Sequence, residues 1–377
     1  MRNNSLDLIR LGAILLVLGR HADIEVPKND VISNIFIHYW AQGGWVGVDI
    51  FFVLSGFLIS GLIFKEWNID RRINFKKFII RRSLKILPSF WVLILLTIVF
   101  SQRTMQPISI QSTLSELLFL QNYAPGLWNH TWSLAVEIHF YLILLLMCMC
   151  AIHFKKDSED PFKNIPIVFL MIALLSLNFR MQAIKIQPYT FYQSLFPTHL
   201  RMDSLMFGVL LSWLWHFRSL SLYVQNRSVR IYLLTSGLIL ILPAFIFKIE
   251  TNPWISVYGL ILFYVGAGMI LMGCISSTTL SKDHFAKLAR LGTYSYSIYI
   301  WHMPVRGLIL PQFYKLISPS LGVISWQLNL LLYILGSILF GIVMAHLVEF
   351  PILMARDRYN HSSPAIDQPF QVGKHRK

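Results

Sequence analysis

The sequence predicts an all-α integral membrane protein, a bundle of about ten transmembrane helices with both termini cytoplasmic. Three observations carry that expectation. Of the 377 residues, 55% are hydrophobic and only 14% charged, with a mean hydropathy of +0.57, far from the balance of a soluble domain. Apolar runs of about 20 residues, the length needed to cross hydrocarbon, recur from end to end. Twenty-four of the 33 Lys and Arg residues fall in the termini and alternate loops that share one side, which the positive-inside rule makes cytoplasmic. The net charge of +15 is therefore mainly a topology signal, and it speaks against nucleic-acid binding because no recognition module accompanies it. No stretch is long enough to build a separate soluble core, so 1–350 reads as one membrane domain and 351–377 as a polar cytoplasmic tail.

The first span, 6–22, reads LDLIRLGAILLVLGRH and keeps Asp7 and Arg10 at one end and Arg20 and His21 at the other. It lacks a small-residue cleavage site and more spans follow, so it is expected to stay in place. On a helix, Arg10 and His21 lie about 20° apart around the axis and roughly 16 Å apart along it. Alone, Arg10 would snorkel to lipid phosphates and His21 would end the span. Their company shifts the reading. The second span, 44–64, buries Asp49 just below its outer end, where it either partners an Arg or His of a neighbouring helix or acts directly. Gly47, Ser55 and Gly56 give this span a small-residue face suited to packing on another helix.

The inner loop 65–87 is the most basic segment, ending in RRSLKILPSFW. Most of its charge is an anchor, but Arg82 and Lys85, at i and i+3, can also clamp phosphates. A third span, 88–102, begins at Pro88. The fourth, 130–153, carries Ser133, Glu137 and Tyr141 at i, i+4 and i+8, a polar stripe on an apolar helix. Glu137 thereby shares a depth with Asp49 and lies a little below His21, where a carboxylate can orient an imidazole that takes a proton from a hydroxyl. His139, about 160° away from Glu137, belongs to packing.

The fifth span is 165–180. Arg201 and Asp203, at the outer start of the sixth (199–217), read as an ion pair. After spans 231–248 and 254–275, the ninth (292–310) places His302 just before Pro304, which loosens the helix and frees carbonyls for His302 to satisfy. The tenth is 326–348. Cys148, Cys150 and Cys274 lie in apolar runs and are expected as small core residues, with no metal site among them. No internal repeat is visible, which disfavours common transporter architectures.

Taken in order, LDLIRLGAILLVLGRH, GGWVGVDIFFVLSGFLI, RRSLKILPSFW, WSLAVEIHFY, RMDSLMFG and SYSIYIWHMP resemble the blocks of membrane-bound acyltransferase family 3, from about residue 6 to about 350. The resemblance implies a multi-pass bacterial inner-membrane enzyme that moves an acyl group, usually acetyl, from cytosolic acyl-CoA to a carbohydrate hydroxyl on the far side. It implies His21 as the catalytic imidazole, supported by Glu137 or Asp49. On the donor side it implies Arg10, Arg82 and Lys85, with Trp132 and Tyr141 of the fourth-span block, and on the acceptor side Ser133, Arg201, Asp203 and His302. Lys85 stands where the family commonly has an arginine, and a lysine lacks the bidentate fork. The expected partners are acyl-CoA, a surface glycan such as lipopolysaccharide, and membrane lipid, with oligomeric state open. The rival reading is a glycan or solute transporter using the intramembrane His, Asp and Glu for proton coupling.

Overall fold

A computed structural model of the chain describes residues 3–24, 26–27, 29–104, 108–155, 158–186, 188–277, 283–314 and 326–359. Among these every regular element is helical. In chain order they are α1 (Asn4–Arg20), α2 (Val31–Gly43), α3 (Val46–Asp70), α4 (Phe75–Thr104), α5 (Ile110–Leu117), α6 (Trp132–Phe154), α7 (Ile165–Ala183), α8 (Phe191–Ser194) and α9 (Met202–Phe217). There follow α10 (Leu220–Tyr223), α11 (Arg227–Ile241), α12 (Pro243–Ile246), α13 (Leu260–Ile275), α14 (Asp283–Gly292), α15 (Ser295–Pro304), α16 (Trp326–Met344) and α17 (Phe350–Tyr359). A 3₁₀ turn, Asn129–Thr131, precedes α6, and π-helical turns at Val305–Ile309 and Ala345–Glu349 extend α15 and precede α17. The tail residues 360–377 lie outside the described residues.

Seven stretches among the described residues are long and apolar enough to cross a membrane: Val31–Asp70, Phe75–Ser101, Asn129–Phe154, Ile165–Ala183, Arg227–Ile246, Ile255–Ile275 and Trp326–Arg358. The three expected spans missing from that set correspond to α1, α9 and α15, with 17, 16 and 10 residues. These elements carry Asp7, Arg10, Asp203 and His302, so polarity sets them apart; α1 and α9 are also short, whereas a π turn carries α15 on through Tyr314. They are well enclosed, as is α3. Ala13, Ile14, Leu18, Leu205, Met206, Val209, Ile298 and Ile300 are fully buried, whereas α7 and α11 turn large apolar side chains outward, among them Leu170, Leu174, Ile231 and Ile239. These three helices and the long apolar α3 form the centre, and α7 and α11 lie outside it.

Two expectations about local structure are corrected. Basic residues 76–85 lie not in a loop but on α4, which begins at Phe75 and carries Pro88 inside it. The helix continues through the proline, and the Tyr296 hydroxyl donates to the Ile86 carbonyl at 2.6 Å, tying α15 to α4 at this point. Gly47 and Gly56 do not share one packing face, because nine residues turn a helix by half a revolution. A Cβ at Gly47 would lie 2.4 Å from the Ala13 carbonyl of α1, and one at Gly56 would lie 2.0 Å from the Leu205 carbonyl of α9. Helix α3 is thus clasped from opposite sides, and Gly208 of α9 reciprocates against the Val53 carbonyl at 2.2 Å. Of the cysteines, Cys148 is buried, but Cys274 is half-buried and Cys150 exposed on the outer side of α6.

Candidate active site

Helix α1 brings the two ends of the site into register. Asn3 caps it, accepting from the Ser5 amide at 3.0 Å, and Gly292 lets α14 press on the Asp7 backbone, where a Cβ would come within 1.8 Å of the Asp7 carbonyl. The helix stops at His21, whose amide bonds back to Val17 and Leu18. Arg10, on the same stripe one end down, is bonded to Asp7 at 2.7 Å.

Around Arg10 opens a cavity of about 310 Å³ lined by Lys77, Arg81, Arg82, Lys85 and Arg356, with Glu66 at its rim. A second cavity of about 170 Å³ continues from it, and the two share Arg10, Leu58, Arg82 and Lys85. Its walls carry Ser55 of α3, Ser133, Glu137 and Tyr141 of α6, and Tyr296 and Tyr299 of α15. The sequence stripe Ser133, Glu137, Tyr141 is therefore the polar wall of this passage. The Tyr141 hydroxyl donates to Glu137 at 2.7 Å and lies 2.7 Å from the Ser55 hydroxyl. Arg82 is the cation whose field reaches Glu137.

At the far end, Ser133 and Tyr299 exchange a hydroxyl bond of 2.7 Å. Beyond Tyr299 stand three imidazoles: the rings of His302 and His21 are 5.1 Å apart, those of His302 and His130 5.0 Å, and Tyr299 lies 5.6 Å from His130. Arg20 and Arg306 flank this group. Arg20 pairs with Glu250 at 2.5 Å, and Arg306 pairs with Asp23, joining the turn after His21 to the turn after His302. No group of three or more His, Cys, Asp or Glu side chains among the described residues is arranged to hold a metal ion.

The remaining expected residues fall elsewhere. Asp49, fully buried, is held by Arg201 at 2.7 Å and by the Ser204 hydroxyl at 3.3 Å, so it does not orient His21. Asp203 pairs with Arg180 of α7 at 2.7 Å rather than with Arg201, which corrects the pairing expected from their closeness in sequence. Arg201 is wholly buried against the rings of Trp45, Phe52 and Trp132, and both pairs serve as cross-braces. Trp132 stacks on Phe196 at 4.6 Å and meets Phe52 edge-on, outside the lining of either cavity. Lys85 reaches the passage but already donates to Glu349, which is buried and also accepts from Ser297 at 2.7 Å. Glu137 faces Tyr141, Ser55 and Arg82, not the imidazoles. His139 bonds Thr198 at 2.7 Å, off the stripe as expected.

Sequence reasoning passed over His130, Tyr299, Arg180, Glu349 and Glu116. Glu116 of α5 is buried at the approach to the imidazoles, accepting from Thr131 Oγ1 at 2.8 Å and the Trp128 amide at 3.2 Å. Burial pushes its carboxyl up to about 7. The signal for His130 was its place beside the polar stripe, one helical turn before Ser133.

With this geometry in hand, likeness to known proteins is informative. The family model described as "Acyltransferase domain" matches residues 3–346. The peptidoglycan O-acetyltransferase OatA of Listeria monocytogenes is 29% identical over 81% of this chain and 50% of its own length. A putative peptidoglycan O-acetyltransferase of Bacillus subtilis is 27% identical over 81% and 49%, and a putative O-acetyltransferase of Staphylococcus aureus 28% over 79% and 54%. The chain spans about half the length of these curated relatives. No solved structure matches.

Proposed function

The chain belongs to this acyltransferase family, and from that premise we propose that it transfers an acetyl group from cytosolic acetyl-CoA to a sugar hydroxyl of a cell-envelope glycan across the membrane. The observation that carries the reading is the continuity of the passage: two cavities share Arg10, Arg82 and Lys85 at one end, and the second ends on Tyr299, which packs on His130 and His302, with His21 beyond His302. A CoA thioester is anionic at its nucleotide end and thin along its arm. Guanidinium groups at the cationic mouth hold phosphate by charge-assisted bonds, and the arm then extends past Ser55, Glu137 and Tyr141. The basic mouth faces the cytosol, as the distribution of Lys and Arg over the loops implies, so the nucleotide need not cross.

His21 acts as general base. It takes the proton of the acceptor hydroxyl as the oxygen attacks the thioester carbonyl; the carbon–sulfur bond breaks, and the proton passes to the departing thiolate. The reaction is balanced without a further reactant. The ring nearest His21 is that of His302, 5.1 Å away, while Glu137 and Asp49 are engaged elsewhere. Among the surface glycans left open by the sequence, of which lipopolysaccharide was one, we take a peptidoglycan-like acceptor, the substrate in the names of the relatives in Listeria and Bacillus. The transporter reading is not supported by these relatives, and the family match favours group transfer.

The test uses the full chain in proteoliposomes with radiolabelled acetyl-CoA outside the basic face and a peptidoglycan glycan strand as acceptor. Wild-type protein labels the glycan and releases free thiol; His21→Ala binds acetyl-CoA normally and labels nothing. Glycan uptake without label transfer, or full labelling by His21→Ala, overturns the proposal.

A further inference from the structure

We propose that His130 is a second hydroxyl-binding residue of the acceptor site, presented there by Pro304. The inference rests on the acyl-transfer reading and deepens it.

The argument starts from the backbone. Proline has no N–H, so Pro304 leaves the carbonyl four residues earlier, that of Ile300, without its helical donor. A free carbonyl in a buried segment needs a partner. His130, at the 3₁₀ turn before α6, supplies it: its Nε2 lies 3.1 Å from the Ile300 oxygen. One residue back, His302 Nδ1 lies 2.7 Å from the Tyr299 oxygen. A carbonyl oxygen can only accept, so both of these nitrogens carry the proton. The tautomers are thereby fixed. In the neutral rings the remaining nitrogens, His130 Nδ1 and His302 Nε2, each hold a lone pair.

Both of those atoms are buried and have no hydrogen-bond partner among the described residues. His130 is 2% exposed and His302 0%. Buried polar atoms are almost always satisfied, and exceptions in a native fold call for a ligand or a function. Among the buried atoms left unpaired, these two are distinguished by their place: they belong to rings 5.0 Å apart, with the His21 ring 5.1 Å beyond His302. What two acceptor lone pairs lack is an O–H donor. The flanking Arg20 and Arg306 disfavour a cationic amine, so the missing donor is a neutral hydroxyl, as on a sugar ring.

His130 is also firmly held. Its carbonyl accepts from the Tyr299 hydroxyl at 2.5 Å, and Trp128 and Thr131, which bracket it in the chain, are tied to Glu116. Gln121 donates to the Thr131 carbonyl at 3.2 Å. A ring clamped from both sides holds its free nitrogen in a fixed direction, which is how a positioned group gains rate.

A purely structural histidine would need only its N–H to Ile300. The full chain with His130→Gln separates the two roles, since a glutamine amide can donate to that carbonyl yet lacks the imidazole lone pair. The expected result is unchanged thermal stability and acetyl-CoA affinity, with the acceptor KM raised at least tenfold. Pro304→Ala is the second variant. It restores an N–H that competes for the Ile300 carbonyl, and should reproduce the acceptor defect while leaving every imidazole in place. Wild-type acceptor KM in both variants overturns the role of His130. So does a loss of stability and donor affinity in His130→Gln together with a normal acceptor KM in Pro304→Ala. Failure of the wild-type protein to transfer label at all would instead overturn the reading beneath it.

Discussion

Asp49 was a candidate for the chemistry, and the Asp49–Arg201 pair gives a quantitative way to remove it from that role. Both side chains are fully enclosed, with Arg201 Nη2 2.7 Å from Asp49 Oδ1 and the guanidinium within 6 Å of three aromatic rings. Asp49→Ala leaves that guanidinium buried without its counter-charge. Removing one member of a buried pair costs about 3–5 kcal/mol. At roughly 2 °C per kcal/mol for a chain of this size or somewhat smaller, Tm should fall by about 6–10 °C. Replacing both partners with apolar residues of similar volume, Asp49→Leu with Arg201→Met, should recover most of that loss, because such exchanges are often neutral or better. The assay is thermal unfolding of the detergent-purified full chain, with acyl transfer measured below the transition. If Asp49→Ala kept its Tm and lost transfer, or if the double variant were stable and inactive, the carboxylate would belong to the reaction and the bracing argument would be wrong.

Three further outcomes are expected. Glu116, held near 7 in the folded protein against an ordinary 4.5, favours the folded state while protonated; its contribution is complete below pH 4.5 and is lost as pH rises through 7, a change of about 3 kcal/mol. Tm recorded from pH 4 to 8 should therefore show a decline in the wild type that Glu116→Gln lacks. Gly208→Val would drive a Cβ to 2.2 Å from the Val53 carbonyl and 2.7 Å from the Phe57 amide, backbone atoms that cannot yield without separating α3 from α9; a cost of about 3 kcal/mol or more should appear as loss of monodisperse protein on size exclusion, and a normal elution profile would contradict it. Arg82→Ala should weaken acetyl-CoA binding about tenfold or more through loss of a charge-assisted phosphate contact while leaving Tm within a few degrees; unchanged affinity by calorimetry would move the donor site elsewhere.

How much of this was legible in the sequence depends on whether the information was local. The Arg10–His21 stripe and the Ser133–Glu137–Tyr141 wall were readable because both are periodic on a single helix, and the periodicity of one helix fixes which side chains share a face. The membrane class followed from the length and density of apolar runs. Partner choice did not follow. Asp49 had Arg201, Arg180, His21 and Arg20 as plausible mates, and only the crossing of α3 with α9 and of α7 with α9 assigns Arg201 to Asp49 and Arg180 to Asp203. Closeness in sequence pointed the other way, to Arg201 with Asp203, but two residues apart on a helix are about 200° apart around it and cannot face each other.

Pro304 marks the boundary between the two kinds of information. Its missing N–H, and the carbonyl of Ile300 that it frees, are strictly local facts that the sequence states outright. The identity of the group that fills the gap is not local, and the nearest candidate along the chain, His302, turned out to serve Tyr299 instead. The filler came from 170 positions away, on the turn before another helix. Costly groups in a membrane are legible as costs from sequence, since each must be satisfied by something. Which pairs of costs cancel is decided by the packing of α1, α6 and α15. An imidazole that cancels one cost at Ile300 and leaves another open at its own Nδ1 is where the packing stops serving the fold alone.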